Sequence, residues 1–261
     1  MNLPGKVVLL TGASSGIGWA AAQALAEAGC HLSLAARTAG RLEQLARSLT
    51  AGGTQVIFTP TDLSRPGDIR SLVEETAGKF GRIDILINNA AIGQYDAIAD
   101  LDIDDMRYLF EVNLFGPVHL IRGSLPLMPV EGGLIINISS IIGRRGLPLS
   151  GSYCASKAAL ERLAESLRLE LRARNIRVST IYPGVTATPF VKNSLGGRAR
   201  RLPRQRQGVP AERVAKTIVR VARREPRDAF VTLFDRVFVL GSQAAPWLTD
   251  WLLARYFSER L

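Results

Sequence analysis

Short runs of apolar residues alternate along the chain with longer segments in which apolar residues recur every three or four positions. The first run, 6–11, is typical of a strand that is buried on both faces of a sheet. Similar runs predict strands at 32–35, 54–59, 83–88, 133–140 and 176–182, and the segments between them predict helices at 19–28, 40–49, 67–80, 102–125 and 153–174. Because strands connected by helices form parallel sheets with right-handed crossovers, the pattern predicts an α/β fold. We expect a doubly wound parallel sheet of about seven strands with helices on both faces.

The composition fits one globular domain. The chain has 261 residues, of which 47% are hydrophobic and 21% are charged, so it can bury a substantial core and lacks the composition of a disordered chain. We therefore predict a single domain over 1–261. Cys30 and Cys154 stand in no CxxC or Cys/His cluster, so neither a disulfide framework nor a zinc site is indicated. The amino terminus lacks a signal-peptide pattern, and we expect a cytoplasmic protein.

A glycine-rich segment, 11–18, follows the first predicted strand and precedes the first predicted helix. Without side chains at Gly12, Gly16 and Gly18, the turn can be tight and the backbone can approach a pyrophosphate at the helix amino terminus. An isolated glycine-rich loop is weak evidence. The order of strand, loop and helix favours a nucleotide site over a plain turn.

The end of the second predicted strand bears on the choice of dinucleotide. An acidic residue here would bind the ribose hydroxyls of NAD, whereas this chain has Ala36 and Arg37. A guanidinium suits the additional 2′-phosphate, so NADP(H) is favoured over NAD(H), although Arg37 could also be a solvated surface residue. Asp62 could accept a hydrogen bond from the adenine amino group or only cap a helix. Asn89 and Ala90 follow the fourth strand, where amides and small residues can line the cofactor.

Tyr153 and Lys157 lie four residues apart at the start of a predicted helix and therefore share one face. A tyrosine normally titrates near about 10, but a fixed ammonium a few ångströms away stabilises the phenolate and lowers the pKa. Such a pair could exchange a proton with an alcohol or ketone oxygen. Ser140 ends the fifth predicted strand, at the edge where open α/β sheets bind their ligands. Asn113 lies within the long helix predicted over 102–125.

Together these segments resemble the short-chain dehydrogenase/reductase family. The motifs that carry the resemblance stand in the order and at the spacing of that family: 11–18, 88–90, Asn113, Ser140, 153–157 and 183–184. The resemblance covers about residues 4–190, with one departure at Ala91, where the family usually has glycine. It implies a Rossmann-like fold and assembly as a homodimer or homotetramer.

The resemblance also implies a reaction. Hydride would pass between NADP(H) and a carbonyl or secondary alcohol, and the substrate is expected to be a hydrophobic ketone of a lipid-, steroid- or acyl-like kind. Tyr153 would donate a proton to the carbonyl oxygen, Ser140 would hold that oxygen, Lys157 would lower the pKa of Tyr153 and bind the nicotinamide ribose, and Asn113 would tether a water that leads protons to Lys157. The implied cofactor contacts are Gly12, Ser14, Ser15, Gly16, Ile17, Gly18, Arg37, Asp62, Asn89, Ala90, Tyr153, Lys157, Pro183, Gly184, Val185 and Thr188.

Other functions fit the sequence less well. Ser139 or Ser140 with His31 or His119 could suggest acyl transfer, but neither serine stands in a Gly-x-Ser-x-Gly elbow. No His, Asp and Glu residues have the spacing of metal ligands, so no metal site is expected. A cofactor-binding regulatory or structural protein without catalysis is the alternative that stays open.

Positive charge is concentrated in one part of the chain. The net charge is +10, and 198–227 contains eleven basic residues and two acidic ones, which accounts for nine of these charges. We predict that 190–228 forms a basic substrate lid followed by a helix, with the lid itself at about 193–208. Nucleic acid is not expected as a partner, because aromatic residues do not interleave with the basic run.

The C-terminal extension, 229–261, is rich in aromatic residues. Its longest uncharged run, 237–249, is too short and too interrupted for a transmembrane helix. Helical spacing is shown by Phe230, Phe234 and Phe238, and also by Trp247 and Trp251. Three interpretations stay open: packing over the substrate cleft or a neighbouring subunit, peripheral membrane contact through arginines and aromatics, or recognition of an acidic partner such as acyl carrier protein.

Overall fold

A parallel sheet forms the centre of the protein in the computed structural model, which describes residues 1–197 and 208–258. The strands are β1 (Val7–Thr11), β2 (His31–Ala36), β3 (Val56–Pro60), β4 (Ile85–Asn88), β5 (Gly133–Ile138), β6 (Ile176–Tyr182), β7 (Thr186–Ala187), β8 (Val209–Pro210) and β9 (Asp228–Phe230). Seven strands form the main sheet in the order β3-β2-β1-β4-β5-β6-β9, while β7 and β8 pair with each other. The predicted doubly wound sheet is confirmed.

Helices cover both faces of this sheet. They are α1 (Gly16–Glu27), α2 (Ala39–Ala51), α3 (Pro66–Phe80), α4 (Ile103–Phe110), α5 (Gly116–Ser124), α6 (Gly151–Glu170), α7 (Ala211–Arg224), α8 (Leu233–Ala244) and α9 (Pro246–Phe257). Successive residues of β1 point to opposite faces: Val8 and Leu10 pack with residues of α1, α2 and α7, while Leu9 packs with residues of α3 to α6. From β1 the strands are added toward one edge of the sheet as far as β3, and from β4 they are added toward the other edge. The order of the strands therefore reverses between β1 and β4, and folds of this kind bind their ligands at that position.

The long helix predicted over 102–125 forms with one irregularity. Between α4 and α5, Glu111–Phe115 adopts a π-helical turn, and the N–H of Gly116 donates to the carbonyl of Glu111, five residues earlier. Pro117 follows directly and has no N–H to give to the carbonyl of Asn113, so a regular α-helix could not continue unchanged. Asn113 therefore lies in the irregular turn.

The C-terminal extension differs from the predicted helical spacing at one residue. Phe230 lies in β9, not in the helix that holds Phe234 and Phe238. A capping box starts α8 after this strand: Thr232 Oγ1 accepts from the N–H of Asp235 at 3.0 Å, and Asp235 Oδ2 accepts from the N–H of Thr232 at 2.9 Å. Trp247 and Trp251 do share one helix, α9.

Candidate active site

A cavity of about 610 Å³ lies at the carboxyl ends of β1, β4, β5 and β6. Its size is within the range of ligand sites. Its wall contains every residue that the sequence predicted to bind the cofactor, together with Ser140: Gly12, Ser14, Ser15, Gly16, Ile17, Gly18, Arg37, Asp62, Asn89, Ala90, Ser140, Tyr153, Lys157, Pro183, Gly184, Val185 and Thr188. The fold thus brings together segments that extend from Gly12 to Thr188 in the sequence.

The glycine loop is held against the end of β4. Asn89 Nδ2 donates to the carbonyl of Thr11 at 2.8 Å, and Thr11 Oγ1 accepts from the N–H groups of Asn89 and Ala90, both at 3.1 Å. Gly12 has a φ of +70°, and a Cβ on it would lie 2.8 Å from Asn89 Nδ2. A Cβ on Gly18 would collide with the carbonyl oxygen of Gly12. Glycine is therefore required where the loop turns into α1.

Arg37 and Asp62 lie in the cavity wall at the ends of β2 and β3. The Nη1 atom of Arg37 donates to the hydroxyl of Tyr108 at 3.2 Å, so the guanidinium is directed by a neighbouring side chain and not only by solvent. Asp62 Oδ1 accepts from the N–H and the hydroxyl of Ser64, at 3.0 and 2.8 Å. Asp62 stabilises this turn and does not cap α3, whose N-cap is Arg65. It stays within the cavity wall.

Tyr153 and Lys157 lie on one face of α6 and are buried. Lys157 Nζ donates to the carbonyl of Ile138 at 2.9 Å and lies 5.9 Å from the centre of the Tyr153 ring. Ser140 lies two residues beyond the end of β5, not within the strand as predicted, because the strand stops at Ile138. Its hydroxyl donates to the carbonyl of Pro183 at 3.3 Å and is hydrogen-bonded to Tyr153.

Burial shifts the pKa values of these two residues in opposite directions. It raises the pKa of Tyr153 far above its ordinary value, against the effect of the hydrogen bond with Ser140. It lowers the pKa of Lys157 to about 8, against the effect of the negative charge of Glu161. Desolvation of the phenol therefore dominates the pKa of Tyr153, and the expected lowering by Lys157 stays a prediction. A phenol that keeps its proton is suited to act as an acid.

Glu161 is a buried carboxylate that the sequence analysis missed. It follows Lys157 by one helical turn, and its Oε1 atom accepts from the Ser139 hydroxyl at 2.7 Å. Its Oε2 atom lies 2.5 Å from Arg144 Nε, and Arg144 also donates to the hydroxyl of Tyr182. A carboxylate four residues after Lys157 was visible in the sequence, but only the fold shows that it is buried among Ser139, Arg144 and Lys157.

Asn113 is fully buried behind the cavity wall and is not part of it. Its side chain is committed to the backbone of Ile92: Oδ1 accepts from the Ile92 N–H at 2.9 Å, and Nδ2 donates to the Ile92 carbonyl at 2.8 Å. Nδ2 also donates to Ser156 Oγ at 3.1 Å. Because Ile92 lines the cavity, Asn113 fixes part of the wall from behind.

The opposite wall of the cavity comes from the C-terminal helices and from the segment before 198. Phe238 of α8 and Tyr256 and Phe257 of α9 line it, which fits the interpretation that the extension packs over the cleft. Phe190 also lines it and packs against Tyr153, with ring centres 5.5 Å apart. Most of the predicted lid, 198–207, lies outside the described residues. The part before it is tied to the loop after β4, since the N–H of Leu195 donates to the carbonyl of Gly93 at 2.8 Å.

Comparison with known proteins settles the family. The model of the family described as short chain dehydrogenase matches residues 6–198. The chain belongs to the short-chain dehydrogenase family. This membership makes it an oxidoreductase that acts on CH–OH or C=O groups with a nicotinamide cofactor, as the resemblance of its motifs implied.

Relatives and solved structures agree with this assignment. An uncharacterized oxidoreductase of Bacillus subtilis, YxnA, is 31% identical over 259 residues, which cover 97% of this chain and 73% of that protein. Dehydrogenase/reductase SDR family member 7B of Mus musculus is 36% identical over 241 residues, which cover 89% of this chain and 75% of that protein.

Two of the similar structures hold different cofactors. A short-chain dehydrogenase/reductase from Burkholderia phymatum, in complex with NAD, has a TM-score of 0.88 and 26% identity, with 95% of this chain and 96% of that chain covered. L-sorbose reductase from Gluconobacter frateurii, in complex with NADPH and L-sorbose, has a TM-score of 0.78 and 31% identity, with 88% and 96% covered. Short-chain dehydrogenases of this shape therefore include NAD-bound and NADPH-bound proteins.

Proposed function

We propose that this short-chain dehydrogenase uses NADP(H) to interconvert a hydrophobic ketone and its secondary alcohol. The observation that carries the proposal is the meeting of Ser140, Tyr153 and Lys157 in the wall of the cavity that begins at the glycine loop. One end of this cavity has the features of a dinucleotide site and the other is bounded by apolar side chains. A carbonyl group between them would face the Tyr153 hydroxyl.

The wall of the cavity fits a nicotinamide dinucleotide. Gly12 and Gly18 let the loop pack closely against Asn89 and against its own backbone. This packing sets the loop at the start of α1, where a pyrophosphate would bind. Arg37 and Asp62 would hold the adenosine half, while Asn89, Ala90, Lys157 and the residues 183–188 would hold the nicotinamide half. When bound, the nicotinamide supplies the hydride for reduction or accepts it in oxidation.

The protein side of the reaction is assigned to three residues. The Tyr153 hydroxyl donates its proton to the substrate oxygen as negative charge develops there, and the Ser140 hydroxyl hydrogen-bonds to the same oxygen. The ammonium of Lys157 stabilises the phenolate that Tyr153 becomes, because an opposite charge nearby favours the charged form. Asn113 contributes by holding Ile92 in place.

NADP(H) is preferred in this proposal because Arg37 follows β2 and no acidic residue stands there. The guanidinium lines the cavity and is directed by Tyr108, where it would pair with a 2′-phosphate. The NADPH of the Gluconobacter relative supports this preference, while the NAD of the Burkholderia protein shows that the fold alone does not decide it.

The apolar substrate class follows from the side chains around the catalytic hydroxyls. Ile141, Ile142 and Leu147 come from the segment after β5, and Phe238 and Phe257 come from the C-terminal helices. Such a wall favours a hydrophobic carbonyl compound over a sugar.

The proposal also includes a cytoplasmic location, assembly as a homodimer or homotetramer, and peripheral membrane contact through the basic and aromatic C-terminal region.

The test is a panel of hydrophobic ketones and aldehydes, with lipid-, steroid- and acyl-like members and L-sorbose for contrast, followed through the absorbance of NADPH. We expect oxidation of NADPH with hydrophobic members and loss of turnover in Tyr153→Phe, with cofactor binding retained. Tyr95→Phe, which alters another tyrosine of the same wall, is the control and is expected to keep its turnover. Tight NADPH binding without turnover of any panel member would favour the alternative, a cofactor-binding protein without catalysis.

A further inference from the structure

The outer surfaces of α8 and α9 carry most of the exposed apolar side chains in the described part of the protein. Sixteen large apolar side chains are exposed in residues 1–197 and 208–258, and nine of them belong to these two helices. Eight of the nine define what we name the α8–α9 face: Leu233, Phe234, Val237, Leu240, Trp247, Leu248, Trp251 and Leu252. Isolated exposed apolar residues are normal, but such a concentration marks an interaction surface.

Both helices are apolar on the side turned to solvent. In α8, Leu233, Val237 and Leu240 recur at the spacing of one helical face, while Val239 and Ser242 are buried against the protein. In α9, Trp247 and Trp251 lie one turn apart and are 72% and 58% exposed. A helix on the surface of a protein normally turns its polar side outward. The α8–α9 face therefore has the pattern of a surface that is covered in use.

The charges at this face are arranged asymmetrically. Within 233–257 the carboxylates are Asp235, which is buried in the capping box of α8, and Asp250, which forms an ion pair with Arg145. The exposed cations of the two helices are Arg236 and Arg255. The Asp250 side chain is 71% exposed although it is paired, so within 233–257 one exposed carboxylate stands against two exposed cations.

A groove beside the start of α8 places two arginines next to the apolar side chains. Arg220 of α7 and Arg236 of α8 line it together with Phe230, Thr232 and Leu233. The carboxylate in the groove, Asp228, accepts from the Tyr182 hydroxyl at 3.0 Å and pairs with Arg168 at 3.5 Å. An anionic group in this groove would meet two guanidinium groups at the edge of an apolar surface.

We propose that the α8–α9 face docks on the surface of an anionic lipid bilayer, with Trp247 and Trp251 at the interface and Arg220 and Arg236 on the phosphate headgroups. Tryptophan and leucine on one side of a helix, flanked by arginine, are the composition of helices that lie in a membrane interface. None of the described helices has the length and apolar composition to span a bilayer. The inference makes specific the membrane contact in the proposed function, and it does not depend on the reaction.

The same features disfavour two other partners for the α8–α9 face, a second copy of the chain and an acidic protein. A second copy of the chain in a two-fold dimer would present the same patch, so the arginines at the edge of one patch would face arginines and not anionic groups. An acidic protein would match Arg220 and Arg236, but charged surfaces leave tryptophan side chains such as Trp247 poorly covered. An anionic bilayer matches the arginines and also covers the tryptophans, because its headgroups are anionic and its interior is apolar.

The test is flotation of the full chain with vesicles of phosphatidylcholine that contain phosphatidylglycerol, compared with vesicles of phosphatidylcholine alone. We expect the chain to float with the anionic vesicles and Trp247→Ser/Trp251→Ser to lose this flotation. The matched control is Val130→Ser/Leu169→Ser, which alters residues 93% and 77% exposed outside α8 and α9, and it should float like the wild type. Circular dichroism and urea unfolding show that each variant is folded.

A charge variant tests the headgroup contact. Arg220→Gln/Arg236→Gln is expected to lose the preference for anionic vesicles, whereas Arg41→Gln/Arg70→Gln, with the same net charge, should keep it. The proposal is overturned if the full chain does not float, or if both members of a variant and control pair behave alike. Self-association that Trp247→Ser/Trp251→Ser abolishes, measured by sedimentation in the absence of flotation, would assign the face to a second copy instead. NADPH oxidation is measured separately, so failure of the docking and failure of the proposed reaction are distinguishable.

Discussion

The Nε atom of Arg144 lies 2.5 Å from the Oε2 atom of Glu161. Glu161 is buried, one helical turn after Lys157, and its other carboxylate oxygen accepts from Ser139, the residue before Ser140. One ion pair therefore joins α6 to the segment that carries Ser140. A Cβ at Gly143 would collide with Glu161 Oε1, which shows how closely this segment lies against the carboxylate.

Glu161→Gln is expected to change the pH dependence of reduction. Burial lowers the pKa of Lys157 to about 8, and the charge of Glu161 opposes this lowering. In the proposed reaction Lys157 acts as an ammonium, so the rate of the wild type should fall as pH rises through about 8. Removal of the negative charge lowers the pKa of Lys157 further, and the fall should begin at a lower pH.

The measurement is kcat/KM for ketone reduction across neutral and alkaline pH. Glu165→Gln is the matched control, because Glu165 lies one turn further along α6 and pairs with Arg162 and Arg227 at the surface. Its profile should follow that of the wild type. A profile of Glu161→Gln that superimposes on the wild type would show that Glu161 does not set the charge of Lys157.

Arg144→Met is expected to destabilise the protein by about 3 kcal/mol at neutral pH, because loss of one member of a buried ion pair leaves the other charge without its partner. Methionine keeps apolar volume near the Tyr182 ring. Burial raises the pKa of Glu161 and Arg144 lowers it, so the substitution raises it further. An acid whose pKa is higher in the folded state than in the unfolded state lowers the free energy of unfolding at pH values above its unfolded pKa. At pH values below the unfolded pKa it has no such effect. The difference from the wild type should therefore shrink as pH falls toward 4.5, the ordinary value.

Unfolding in urea at several pH values measures this difference. Arg162→Met is the control: Arg162 lies 3.8 Å from the same carboxylate, but its side chain is 61% exposed, so its loss should cost less than about 1 kcal/mol. Equal destabilisation by the two variants would show that Arg144 stabilises the protein no more than the exposed Arg162 does.

The sheet and most of the candidate site could be predicted from the sequence because their signals are local. The run 6–11 followed by a glycine loop and a helix specifies β1, the loop and α1, and the parallel alternation then places the ends of the strands at one edge. The spacing of Tyr153 and Lys157 needs only the pitch of one helix. Each of these features depends on residues that are close in the chain.

The remaining features depend on contacts between distant segments. The burial of Glu161 follows from Ser139 and Arg144, which come from the segment after β5. The position of Asn113 follows from Pro117 and from the backbone of Ile92. The contribution of Phe257 to the cavity depends on how α9 packs, and no local pattern specifies that. The sequence also could not show that burial raises the pKa of Tyr153, because that burial comes from packing between distant segments.

Arg37→Ala is expected to weaken NADPH binding by about 10- to 100-fold, because a charge-assisted hydrogen bond contributes about 1.5–3 kcal/mol and about 1.4 kcal/mol corresponds to a factor of ten. NADH binding should change little, since NADH has no 2′-phosphate. Titration of both cofactors by fluorescence measures the ratio. Arg41→Ala removes an exposed arginine of α2 and is the control. An unchanged ratio in Arg37→Ala would refute the assignment of the 2′-phosphate to Arg37.

Asn113→Ala is expected to destabilise the protein by about 2 kcal/mol and to lower turnover. The substitution leaves the N–H and the carbonyl of Ile92 buried without their side-chain partner, and each such group costs about 1–3 kcal/mol. Ile92 lines the cavity, so its displacement would disturb the substrate oxygen near Tyr153.

Ser124→Ala, in α5, is the control: the Ser124 hydroxyl is buried and makes no hydrogen bond within the described residues, so its loss should cost little. Urea unfolding and kcat are measured together. If Asn113→Ala lost turnover at unchanged stability, Asn113 would act on the proton path directly, as the family resemblance implies, and not through Ile92.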